Sequence, residues 1–150
     1  MFLAAHSDAS YLSETKSQRR VGANLFIARD IAVPENNGAM HTVTPIIKTV
    51  MSSAAEAEIG ELYINCRKVT PLRHLIEAMG HCQPPTPIQT ENSTALGVVT
   101  NRIQTTWTKS MDMRFHWLRC LANQRRFRTY WRTGPTNKGD YVTKHHAASH

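Results

Sequence analysis

Acidic side chains are scarce in this chain, with 11 aspartates and glutamates against 18 lysines and arginines and a formal net charge of +7 at a sequence pI near 9.7. That balance favours a polyanionic partner, because Lys and Arg gain affinity by releasing counterions from a phosphate backbone. Cysteine is scarcer still. Cys66, Cys82 and Cys120 cannot all pair within the chain, and no two stand at the short spacing of a zinc or redox motif. A disulfide scaffold is excluded, and a reducing, intracellular compartment is expected. No uninterrupted apolar run approaches the ~18 residues of a membrane span, and MFLAAH is interrupted too soon by His6 and Asp8 to read as a signal peptide. Repeats and low-complexity tracts are lacking as well. With 41% hydrophobic residues in 150, one adequate core can be buried, and one domain is the economical reading.

What is present reads as an alternation of strands and helices. Phe2 to Ala5 leads as a strand into Asp8, and Val21 to Ala28 is a second β-prone run. Ser13 to Arg20 suits a turn, Pro34 to Gly38 carries turn chemistry, and a third strand is expected from His41 to Met51. Ser53 and Glu56 then form a capping box, and Ala55, Ile59, Leu62, Cys66 and Val69 make a helical apolar stripe. Pro71 is expected to kink or break that helix, and Gly80 to close its second segment. A strand from Ile88 to Thr90 runs into a helix capped by Asn92 or Ser93, Ser110 begins another helix, Phe127 to Arg132 alternates as a strand, and a short helix follows Thr136.

Four acids fall in four of these elements. Asp8 lies on the first strand, Glu58 in the second turn of the first long helix, Glu91 at the end of a strand and Asp140 in the last helix. Acids from separate elements can converge at the carboxyl ends of strands, where α/β folds place their sites, and carboxylate oxygens suit Mg²⁺. Glu56 is claimed by the cap and points nearly opposite to Glu58, so Glu58 is the candidate ligand. Histidines 145, 146 and 150 read as a solvated tail rather than a metal tract, leaving residues 1–144 as the domain and 145–150 as a disordered tail.

The segments HSDAS, SSAAEAEIGEL, IQTENSTA, TKSMDMRFHWLR and YWRTGPTNKGDYVTKHH, in this order, resemble the ribonuclease H domain of copia-type LTR retrotransposon polyproteins. The resemblance covers nearly the whole chain. It implies an α/β, ribonuclease H-like fold, with a five-stranded mixed sheet of three antiparallel strands and two further strands, flanked by helices. It also implies hydrolysis of the RNA strand of RNA/DNA hybrids by a two-metal mechanism, with Mg²⁺, or Mn²⁺ in its place, held by Asp8, Glu58, Glu91 and Asp140 as catalytic and metal-binding residues. The reverse transcriptase portion of the parent polyprotein would be a partner outside this chain, which is expected to be a fragment working in a cytoplasmic virus-like particle or the nucleus.

Two positions depart from the family pattern. Glu91 stands where the family has Asp, and its added methylene is expected to reduce or abolish cleavage. Gly139 stands where Ala is usual and is expected to loosen the element holding Asp140. Lys109, Arg114, Arg128 and Arg132, interleaved with aromatics, are candidate nucleic-acid contacts, with Trp131 read as core. A non-catalytic nucleic-acid-binding remnant of the same fold is the alternative function, and a basic fragment without ligand the third.

Overall fold

The computed structural model describes residues 1–10, 19–47, 53–100 and 109–144. Its sheet runs in the order β3-β2-β1-β5-β6, formed by β1 (Phe2–Ala9), β2 (Arg19–Ala28), β3 (His41–Val43), β5 (Thr86–Thr90) and β6 (Phe127–Trp131), with the two-residue β4 (Ile46–Ile47) also paired to β2. β1 is antiparallel to β2, and β2 to β3, whereas β5 runs parallel to both β1 and β6. The helices are α1 (Ala54–Ala78), α2 (Ser93–Val99), α3 (Lys109–Asn123) and α4 (Lys138–Thr143), the last preceded by a 3-10 turn at Gly134–Thr136. The expected mixed sheet is present. The third strand is shorter than expected, because Pro45 between β3 and β4 has no amide to give to a ladder. Part of its expected span, residues 48–51, lies outside the described residues, as do most of the expected 13–20 turn and the 145–150 tail.

Alternation along β1 divides the molecule. Leu3, Ala5 and Ser7 face α1, where Val21, Ala23 and Leu25 of β2 join Ile59, Leu62, Cys66 and Val69 in the core, closed over β5 and β6 by Val98, Phe115, Leu118 and Phe127. His6 and Asp8 face the other way, toward α4.

Helix α1 is continuous through Pro71, against the expectation of a break. A proline inside a helix costs about 3 kcal/mol, and packing on both sides of it outweighs that. Val69 and Ile76 are buried in the core, and the Arg73 guanidinium bonds the carbonyls of Gln83 and Pro84 and the hydroxyl of Thr86. The helix ends at Met79 and Gly80, where Gly80 takes φ +88° and His81 N–H returns to the Ile76 carbonyl.

Candidate active site

Asp8 is held near the carboxyl end of β1 by the close seating of α4. The Thr143 hydroxyl donates to Asp8 Oδ2 at 2.6 Å, and Gly139 lies so near that a Cβ there would stand 3.2 Å from the Asp8 amide nitrogen and 3.3 Å from its Cβ. Gly22, paired with Asp8 in the sheet, has no room for a side chain either: a Cβ would come within 2.4 Å of Thr143 Cγ2 and 2.7 Å of the Gly139 carbonyl. Gly139 has a second effect beside its low helix propensity: an alanine there would make Asp8 or the Asn137 side chain give by a few tenths of an ångström.

Three further bonds fix α4 and with it Asp140. Asn137 caps the helix, its side-chain oxygen accepting from Gly139 N–H at 2.9 Å while its amide donates to the Ser7 carbonyl at 2.7 Å. The Lys138 N–H donates to His6 Nδ1 at 3.1 Å, which places the imidazole proton on Nε2. His6 is buried, edge-on to Phe26, and burial, with Lys138 and Arg132 adding to it, lowers its pKa to about 4. It is neutral at neutral pH.

Glu58 comes from the start of α1, where Ser53 Oγ accepts the Glu56 amide at 3.1 Å. One turn further on stands Glu61, 1% exposed, bonded by the Ser7 hydroxyl at 2.5 Å and by the Asn65 amide at 3.1 Å. Burial, and then the charge of Glu58, drive the Glu61 pKa well above the ordinary carboxylate range. Through Ser7, Glu61 ties the start of α1 to β1.

Glu91 is the first residue beyond β5, just before Asn92, which caps α2 by accepting from Thr94 and Ala95 N–H. Its carbonyl accepts the Trp131 indole N–H at 2.8 Å, so Trp131, 47% exposed, is tied to the strand end that carries Glu91 and does not lie in the core as expected. β6 is an edge strand, and alternation there does not imply two covered faces. The Glu91 carboxylate lies against Gly134, and its Oε1 is buried with no hydrogen-bond partner.

All four acids line one cavity of about 740 Å³, together with Asn92, Ser93, Thr143 and Lys144. The pKa of Asp8 is raised, first by burial and then by Asp140, against the bond from Thr143. That of Glu91 is raised by burial, then by Asp8 and Asp140. The mutual effect shows a concentration of negative charge short of counter-ions. Lys144 supplies one, its ammonium 2.6 Å from Asp140 Oδ2. Among the described residues no group of three or more His, Cys, Asp or Glu is assembled tightly enough to hold a metal ion as it stands. The donor chemistry nevertheless fits a hard divalent cation, since the set is all carboxylate and Glu91 Oε1 is buried without a partner.

The candidate nucleic-acid residues do not form one group. Arg114 stacks on Tyr63, 5.6 Å from the ring centre, beside Trp117, while Arg128 bonds the carbonyls of Ile31 and Ala32. Arg132 is exposed at the end of β6, and the side chain of Lys109 lies outside the described residues. Glu61, His6, Asn137, Thr143 and Lys144 were missed by sequence reasoning. Two carried a signal: Glu61 and Asn65 are polar residues four apart beside an apolar helical stripe, and His6 interrupts an apolar strand.

No family model matches the sequence, and no curated protein is significantly similar to it. Solved structures are similar in fold. The N-terminal RNase H domain of a Mycobacterium tuberculosis protein, solved as a fusion with maltose binding protein, superposes with a TM-score of 0.67 over 95% of this chain and 90% of that one, at 12% identity. LC11-RNase H1 in complex with an RNA/DNA hybrid gives 0.65 over 93% and 92%, at 10% identity. RNase H1 from the halophilic archaeon Halobacterium salinarum gives 0.56 over 95% and 94%, at 14%. The chain has the ribonuclease H-like fold.

Proposed function

We propose that this chain is a ribonuclease H-type domain of a copia-type retroelement, hydrolysing the RNA strand of RNA/DNA hybrids with divalent metal. The observation that carries this reading is the meeting of Asp8, Glu58, Glu91 and Asp140, from β1, α1, the end of β5 and α4, in one cavity at the carboxyl ends of parallel strands. The likeness to LC11-RNase H1, solved with a hybrid, supports the same substrate class. Asp8, Glu58, Glu91 and Asp140 are the residues that would hold Mg²⁺ or Mn²⁺. When bound, such ions activate water and stabilise the leaving oxygen of a phosphodiester.

The chain's own contribution is placement. Thr143 holds one oxygen of Asp8, and the buried Glu61, bonded by Ser7 and Asn65, stands one turn from Glu58. Trp131 holds the Glu91 backbone. The exposed Lys144 can leave Asp140 at little cost, because solvent screens exposed ion pairs. The domain would act beside the reverse transcriptase of its parent polyprotein, in a virus-like particle or the nucleus.

The Lys144–Asp140 pair favours one second reading, a non-catalytic remnant that still binds nucleic acid, with lysine standing in for the ion. Cleavage of a labelled RNA/DNA hybrid in Mg²⁺ and Mn²⁺ separates the two. Activity that is lost in Asp8→Asn establishes the nuclease. Silence in the parent and in Glu91→Asp, with salt-dependent binding of the hybrid retained, establishes the remnant.

A further inference from the structure

The residue most at odds with the family pattern has an unusual neighbour. The Glu91 carboxylate rests against the backbone of Gly134, where a Cβ would stand 3.1 Å from Oε2 and 3.5 Å from both Cδ and Oε1. The shorter distance is tighter than most real Cβ contacts, so a side chain at 134 would make the carboxylate give by a few tenths of an ångström. The backbone does not itself demand glycine, because positive φ among the glycines is confined to Gly38 and Gly80. Gly134 also opens the 3-10 turn that leads through Pro135 and Thr136 to Asn137, the cap of α4. Space at this point is therefore bounded on one side by the strand end that carries Glu91 and on the other by the segment that delivers Asp140.

We propose that Gly134 is a positioning residue for Glu91: by lacking a Cβ it leaves the room that the longer acid occupies, so that the pair 91/134, not residue 91 alone, fixes where the third carboxylate stands. An aspartate at 91 would withdraw by one C–C bond, about 1.5 Å, and leave that room empty. The added methylene is then accommodated by the turn opposite. This inference rests on the reading of the cavity as a divalent-metal site, and its test includes a readout that does not depend on catalysis.

The test is a four-protein cycle of parent, Glu91→Asp, Gly134→Ala and the double variant. Each is measured for thermal unfolding without metal and for Mn²⁺ affinity by calorimetry. In the Glu91 background, Gly134→Ala should lower Tm by roughly 3–10 °C and weaken Mn²⁺ binding about 10-fold. In the Glu91→Asp background the same substitution should change neither. Any cost of placing alanine before Pro135 is common to both backgrounds and cancels. Failure of Gly134→Ala to fold while the double variant folds supports the pair as well. Equal shifts in the two backgrounds, in either measurement, overturn it. Hybrid cleavage by the same proteins is scored separately: coupling that persists while no variant cuts hybrid rejects the nuclease reading and leaves the pair standing.

Discussion

The two faces of β1 are built by different means. On one, α1 spreads Ile59, Leu62, Cys66 and Val69 across the sheet and seals a continuous apolar core. On the other, α4 is six residues long and is held by a close glycine approach and by bonds from Thr143, Asn137 and the Lys138 amide. Apolar burial degrades gradually as side chains change, because its strength is spread over many weak contacts. Hydrogen bonds and a close approach that leaves no room for a Cβ fail at single atoms. Asp140 is thus mounted on the less forgiving face, and Glu58 on the more forgiving one.

The comparison can be broken in order of expected effect. Leu62→Ala, which opens the α1 face, should cost about 3 kcal/mol and shift the midpoint of denaturant unfolding for every probe alike, because it weakens the whole core. Gly22→Ala should cost about 2 kcal/mol, with hydrogen exchange in α4 accelerating more than in α1. Uniform acceleration would mean that the two faces are one cooperative unit.

The third effect is a pH dependence that His6 brings to the α4 face. His6 has a pKa of about 4 in the folded protein, below its ordinary value of 6.5, so the unfolded chain binds the extra proton between these limits. Its contribution is complete above about pH 6.5 and is lost as pH falls toward 4, on the order of 1 kcal/mol once solvent screening is allowed for. Asp8 and Glu91 run in the opposite sense: their raised pKa values make the protonated forms the better tolerated, and their contribution grows on acidification. Comparing urea unfolding of the parent and His6→Phe from pH 7 to pH 4 isolates the histidine, and the variant should lose the steeper acid slope. Smallest is Lys144→Met. Removing the ammonium from Asp140 should tighten Mn²⁺ several-fold in calorimetry, since the ion no longer competes with a built-in cation.

Legibility in the sequence followed the same division. The α1 stripe, the Ser53 cap and a cap at Asn92 or Ser93 were readable, because each depends on spacing within a few residues, whereas the choice of the four acids came from the family resemblance. The bonds that mount α4 were not readable. Asn137 reaches Ser7 across 130 positions and Thr143 reaches Asp8 across 135, and no local pattern announces either. Gly139 was read by helix propensity alone, and the closeness of Asp8 was not legible there. Pro71 misled for the opposite reason: a strong local signal was overridden by Arg73 and by the burial of Val69 and Ile76. For Trp131 the period was right, and nearly half of its surface remains exposed.

The spread of the four acids along the chain has a consequence for the order in which the molecule is made. Synthesis delivers Asp8 first and Asp140 only after both β6 and the turn at Gly134 have been added, and the contacts that dock α4 are among the longest-range in the fold. A growing chain still on the ribosome can fold its α1 face early and yet present an incomplete set of carboxylates. Whatever chemistry the cavity performs is withheld until its last helix emerges, which couples the birth of the site to completion of the domain.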